Sequence, residues 1–199
     1  MAITIQFNKI AIQYLRKQLR ARQIALPTLK SKEAVLRVAV QKQKELYLEL
    51  EKHYTERLEA IRSDIRLWSE FPLDIFFIKQ IITQPIKVAG IQVPEFKEMI
   101  WDTREFSKFN KPVWVTSGIR LLKEVAIDVA KMDVLKKDIE ILDRARRKTT
   151  QKVNLYEKVQ IPEYTDAILK IKRYLEDVEN LEKAAQKITK QRLAAGGAT

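Results

Sequence analysis

The sequence predicts a mainly α protein: a long antiparallel two-helix coiled coil formed by the N- and C-terminal arms, with a small central head containing a β-hairpin. Three observations carry this. The helix breakers are few and clustered, since Pro72, Pro85, Pro94 and Pro112 lie with Gly90 and Gly118 in one middle stretch. Glycine and proline punctuate helices because one loosens the backbone and the other removes an N–H and clashes. Apolar residues on both sides of that stretch recur at steps of three and four, the period of a helix seam. Six of the seven Phe and all three Trp fall between residues 68 and 114. The expected organisation is an N-terminal arm over 1–70, an aromatic-rich head over 71–118 with a hairpin near 86–93, a C-terminal arm over 119–195 and a flexible tail over 196–199.

The first arm carries Ile12, Leu15, Leu19, Leu26, Leu29, Leu36, Val40, Tyr47, Leu50 and Tyr54 on its seam, then Leu58, Ile61, Ile65 and Trp68. The positions passed over are Arg22, Glu33 and Gln43. The extra four-residue step before Leu58 is a stutter, which locally relaxes a left-handed supercoil. The second arm carries Leu122, Val125, Val129, Met132, Leu135, Ile139 and Leu142. After a polar stretch it resumes at Ile168, Ile171, Leu175, Val178, Leu181, Ala185 and Ile188. At about 1.5 Å per residue each arm would run to roughly 100 Å. If Leu67 lies near Ile119, Pro27 comes opposite Val159 and Gln160, near Pro162. A packing irregularity is expected at that level, because an interior proline costs a helix about 3 kcal/mol. A single narrow seam buries little, so a partner is expected to stabilise the shaft.

In the head, Trp68, Phe71, Phe76, Phe77, Phe96, Trp101, Phe106, Phe109 and Trp114 supply large burial per residue, as a mini-core or as a partner-binding patch. Between Pro85 and Pro94, Ile86, Lys87, Val88, Ala89, Gly90, Ile91, Gln92 and Val93 alternate as a hairpin, with Gly90 supplying the positive φ of a tight turn. Prolines suit its edge positions. An exposed two-stranded ribbon is marginal alone and must pack on something.

The chemistry-bearing inventory is thin. There is no Cys, and His53 is the single histidine. That excludes a disulfide framework and a cluster of histidines around a metal, and His53, in a charge-rich helical stretch, reads as a solvated helix residue. None of the four glycines opens a phosphate-cradling loop. No catalytic residue, metal site or cofactor is expected, and the chain is not expected to be an enzyme. No apolar run approaches the roughly 20 residues of a membrane span, and no signal-peptide core precedes the first arm. The expected location is cytoplasmic or peripheral, without direct membrane insertion.

Charge is the remaining signal. The net charge is +12 and the pI about 9.8. Lys30 and Lys32 lie in a first arm where Glu33 is the sole acid before Glu45. Arg144, Arg146, Arg147, Lys148 and Lys152 form an acid-free run, and Lys183 and Lys187 belong to another basic stretch near the end. In the proposed register the first two sets lie side by side. Such a face is either simply solvated or meets an acidic protein sleeve or nucleic acid. Interleaved aromatics that would stack single strands are missing there. A basic coiled-coil scaffold or nucleic-acid-binding protein therefore stands as the alternative reading.

One segment is specific. Val153-Asn154-Leu-Tyr-Glu157-Lys-Val159-Gln-Ile161-Pro162 resembles the V-N-x-x-E-x-V-x-I-P signature of the D subunit of V/A-type rotary ATPases. Leu29-Lys30-Ser-Lys32-Glu33-x-x-Leu36 resembles that family's L-K-x-K-R-x-x-L segment, with Glu33 where Arg is usual. Pro27 falls where the family's helix usually runs uninterrupted. The hairpin and Pro112-Val-Trp114 are similar to its middle region, so the resemblance covers nearly the whole chain in order. It implies a non-catalytic central-stalk rotor subunit whose helices enter a ring of A and B catalytic subunits. It implies further contacts with the F subunit and with the cup-shaped subunit linking the stalk to the membrane ring. Rotation would couple ATP hydrolysis or synthesis to H⁺ or Na⁺ movement. No nucleic acid is expected in that setting. The basic residues named above become candidates for the ring-facing shaft, and residues 86–93 for a coupling hairpin.

Overall fold

The structure, a computed structural model, describes residues 6–63, 68, 71, 76–103 and 114–196. Ile65 of the first seam, Phe106, Phe109, Pro72 and Pro112 of the head, and residues 197–199 of the expected tail lie outside these. The elements in order are α1 (Lys9–Ser63), β1 (Phe76–Val88), β2 (Ile91–Thr103), α2 (Trp114–Asn154), a π-helical turn (Leu155–Gln160) and α3 (Ile161–Gly196). The fold is a long N-terminal helix, a long C-terminal helical arm and a central antiparallel hairpin. Two compact units partition it, one of Met1–Ser31 with Thr149–Thr199, the other of Lys32–Lys148.

In the first unit, α1 starts where Asn8 accepts a hydrogen bond from the Ala11 N–H at 2.6 Å. A side-chain oxygen there satisfies one of the donors every helix start leaves open. The core is Ile12 and Leu15 of α1 against Ala167, Ile168 and Ile171 of α3, flanked by Leu19, Tyr164 and Leu175. Phe7 extends it with a tilted ring contact to Tyr174, centroids 4.8 Å apart. The irregularity expected opposite Pro27 is the π-helical turn. Its last N–H, from Ile161, bonds to the Tyr156 carbonyl five residues back. Pro162 follows directly and has no N–H to give to Lys158, so an ordinary α turn would lose a bond there. Pro27 itself sits inside α1 on the exposed side.

In the second unit, α1 and α2 pair again and the hairpin folds back on them. Leu36 and Val40 of α1, Leu142 of α2 and Val93 of β2 form one core, with Ile86, Val88, Ala89 and Ile91 packed against it. Phe71 and Val115 form a second, joined by Trp68, Trp114, Ile119 and Leu122. Every described residue of the first-arm seam is buried or half-buried. The cross-helix partners Arg22 and Gln160, Lys30 and Glu157, and Arg57 and Asp128 all fall within about one helical turn of the expected register. The second arm departs more. Val129 is exposed, whereas Asp128, Ala130, Val134 and Asp138 are buried. The stripe of α3 continues in sequence through Leu181 and Ile188, but both are exposed.

The hairpin is longer than expected, with strands of 13 residues each. Pro85 and Pro94 lie directly opposite each other inside it. The turn residues are Ala89 (φ 52°) and Gly90 (φ 78°), the pattern of a tight hairpin turn with two left-handed residues. Val88 and Ile91 next to it are therefore a hydrogen-bonded pair, and pairs alternate outward. Counting back puts Pro85 and Pro94 at a non-hydrogen-bonded pair, where neither N–H faces the other strand. Two prolines in register cost the ladder nothing, and the strands run past them through two irregularities, at Ile78/Gln80 and Ile82/Thr83.

Gly118 sits one turn inside α2 and does not break it. A Cβ there would lie 3.2 Å from the Trp114 ring and 3.3 Å from the rings of Phe71 and Trp68. Glycine lets three rings close on the helix backbone. Gly118→Val is expected to lower stability by about 1–2 kcal/mol, since overpacking against the three rings outweighs the small gain in helix propensity over glycine. Urea unfolding followed by tryptophan fluorescence measures it.

Candidate functional site

The residues singled out from sequence fall into three places. The signature residues lie at and around the π-helical turn of the first unit. Glu157 there accepts a 2.5 Å charge-assisted hydrogen bond from Lys30 of α1. Both side chains are about half exposed, so the pair contributes at most about 1 kcal/mol. Its value is positional, since it ties the wide turn to α1. Val153 is buried, Ile161 half-buried, and Asn154, Val159 and Pro162 exposed.

One turn away, Arg22 fills a seam position that the apolar pattern skips. Its Nε donates to Gln160 Oε1 at 2.6 Å and Nη1 to Gln18 Oε1 at 2.7 Å. Its guanidinium stands 4.6 Å from the Tyr164 ring and 5.7 Å from that of Tyr156. A planar cation with several donors suits a half-buried seam beside two rings, where Lys would not. The sequence showed Arg22 only as a gap in the stripe; Tyr156 and Tyr164 across from it were the signal that it is a filled position.

The basic residues are not equivalent. Arg146 and Arg147 both pair with Asp143, at 2.8 and 2.7 Å. Those hydrogen bonds, Arg146 first, hold the Asp143 carboxyl below the usual carboxylate range against the opposing effect of its burial. Lys183 pairs with Glu179 one turn earlier, which lowers the Glu179 pKa. Lys152 points its ammonium at Tyr156, 5.9 Å from the ring centroid. Lys32, Arg144, Lys148 and Lys187 are exposed.

The hairpin tip is similarly divided. Ile86, Val88, Ala89, Ile91 and Val93 face the helix core, leaving Lys87, Gly90 and Gln92 exposed. Farther along the strands, Ile78, Ile81 and Ile100 are exposed apolar residues. Two acids of α2 are buried, although nothing in the residue pattern marks them as such. Asp128 pairs with Arg57 across the helix pair. Asp138 is 3% exposed, and burial together with the neighbouring Glu95 carboxylate pushes its pKa up to about 6.

Among the described residues no group of His, Cys, Asp and Glu is placed to hold a metal ion. No described helix is long and apolar enough to cross a membrane. These elements form paired helices with polar clamps in the seam, a docked hairpin and exposed basic and apolar surface. The sequence profile of the ATP synthase D subunit matches residues 11–191. The chain is 31% identical over 191 residues to the V-type ATP synthase D subunit of Borreliella burgdorferi, covering 95% of each chain. It is 28% identical to the protein of that name from Chlamydia pneumoniae, covering 97% of this chain and 95% of the other. The Chlamydia muridarum protein of that name is 25% identical, covering 97% and 98%. This chain belongs to the ATP synthase D-subunit family.

Proposed function

We propose that this chain is the central rotor shaft of a V/A-type rotary ATPase. It couples ATP hydrolysis or synthesis in a ring of A and B catalytic subunits to H⁺ or Na⁺ transport through the membrane sector. The observation that carries the reading is the family match over residues 11–191 on a chain with a long N-terminal helix and a long C-terminal helical arm. The chain does no chemistry itself; nucleotide is bound and hydrolysed on the A and B subunits. It resides in the cytoplasm, attached to the membrane through the complex.

The long arms, 1–70 and 119–195, act as the shaft and the segment 71–118 as the head. Exposed Lys32, Arg144, Lys148 and Lys187 present solvated positive charge to acidic loops of the ring. Such charge steers assembly without a deep trap at one rotational angle. The hairpin side, with Lys87, Gln92 and the exposed apolar stretch around Ile78 and Ile100, meets the F subunit and the cup-shaped subunit.

Co-expression with A, B and F subunits from the same source tests this directly. One copy of the chain in an ATP-hydrolysing ring is the expected result. A folded chain that stays out of an intact ring, yet binds duplex DNA with steep salt dependence, overturns it in favour of a basic scaffold. Charge reversal at Arg144 and Lys148 should weaken ring assembly at low salt and lose its effect as salt rises. These two leave the Asp143 cluster intact, so helix stability serves as the internal control.

A further inference from the structure

In the second unit a cavity of about 250 Å³ lies between α1, α2 and the hairpin. Its walls are largely apolar, with Leu50, Ile86, Phe96 and Leu135 among them. Three acceptor-bearing side chains share it, one from each element: Gln43 of α1, Glu95 of β2 and Asp138 of α2. Asp138 is only 3% exposed, and its Oδ1 has no hydrogen-bond partner. Gln43 Oε1 is likewise buried without one. Bare buried acceptors are costly, and each calls for a donor.

We propose that this cavity is a binding site for a primary alkylammonium group, with Asp138 and Gln43 receiving the charged head and the apolar walls its alkyl chain. An ammonium brings three donors and no acceptor, which complements a carboxylate and an amide oxygen. Glu95 adds a second negative charge, and one of its oxygens accepts from Gln84 at 3.0 Å. Lys131, the cation of the lining, stands over the Phe96 ring at 5.8 Å, so the charges there sum to one negative. A hard inorganic cation fits poorly, because it seeks about six oxygen ligands and the walls are apolar. An occupied site would brace three elements at once, since each contributes a group to it. The raised Asp138 pKa, about 6, leaves the carboxylate ionised at neutral pH and neutral in mild acid.

The test is saturation-transfer NMR on the full chain with n-butylammonium chloride at pH 7.5. Transfer to the butyl protons is expected, and it should fall at least fivefold in Asp138→Asn, in Gln43→Leu and in the native chain at pH 5. Circular dichroism confirms that each variant is folded; Asp138→Asn removes a buried charge and should fold readily. A second arm uses Nα-acetyl-lysine methylamide. Binding there assigns the site to a protein-borne lysine side chain, and binding of butylammonium alone assigns it to free amines; either supports the chemistry. Equal transfer to neutral n-butanol, equal transfer in Asp138→Asn, or none at all overturns the proposal.

Discussion

Arg57→Ala is expected to lower the unfolding free energy by about 2–4 kcal/mol, the cost of leaving a buried charge without its partner. Asp128 carries the burial: its side chain is 8% exposed against 38% for Arg57. The arginine reaches it from α1 across the helix pair, so the contact also fixes the register of the second unit. The loss belongs to the orphaned acid more than to the missing arginine. Arg57→Ala combined with Asp128→Ala should therefore recover much of it, because removing both partners leaves no uncompensated charge. Urea unfolding of the single and double variants reads the recovery directly. A double variant as unstable as Arg57→Ala alone would show that packing, not charge, is what Arg57 supplies.

Asp138→Asn should act in the opposite direction. The folded-state pKa of Asp138 is raised to about 6 from an ordinary value of 3.8. A group that holds its proton more tightly when folded contributes stability at low pH and loses it as pH rises through the folded pKa. Above about pH 6 the native state therefore carries an ionised carboxylate it would rather bury neutral. The rise from the ordinary value sets a ceiling of roughly 3 kcal/mol. Relaxation of the surroundings around the ionised carboxylate reduces this, leaving an expected gain of about 1–2 kcal/mol at pH 7.5 for Asp138→Asn. The variant should also lose the fall in stability between about pH 4 and 6 that the native chain shows. Asp143, whose pKa is lowered, works in a different window. Its contribution is present above its unfolded value and disappears in stronger acid. Comparing the two proteins across about pH 4 to 8 thus isolates Asp138.

These two acids also mark the limit of what the amino-acid pattern reveals. The α1 seam was legible because one helix face meets one partner and apolar spacing alone describes it. Helix α2 meets both α1 and the hairpin. Its buried residues Asp128, Ala130, Val134, Asp138 and Leu142 spread beyond a single stripe. Aspartate in such a pattern reads as solvent-facing, and only its partners in space reveal otherwise. The hairpin turn is legible from Gly90, but the residue pattern alone ends the strands at Pro85 and Pro94. Whether a proline ends a strand depends on which pair it occupies, and that parity is set by the turn. Gly118 read as a breaker for a related reason: the space it leaves is filled by rings distant in sequence. Among the basic residues, only geometry separates Arg146 and Arg147, engaged by Asp143, from Arg144 and Lys148.

The wide turn at Leu155–Gln160 works as a counting device. Val153 and Ile168 are both buried in the first unit, yet they are fifteen positions apart, one more than two heptads. A π turn takes up one surplus residue, so the two side chains return to the same side of the helix. Removing one residue there would take away the surplus and keep the register; closing the turn into an unbroken α-helix at its full length would instead swing every later side chain by about 100°. Ile168 and Ile171 would then turn away from Ile12 and Leu15, and Lys30 would lose its place beside Glu157. The arm would gain a locally better helix and forfeit its mate, which makes the apparent defect the element that keeps the two rows of side chains in step.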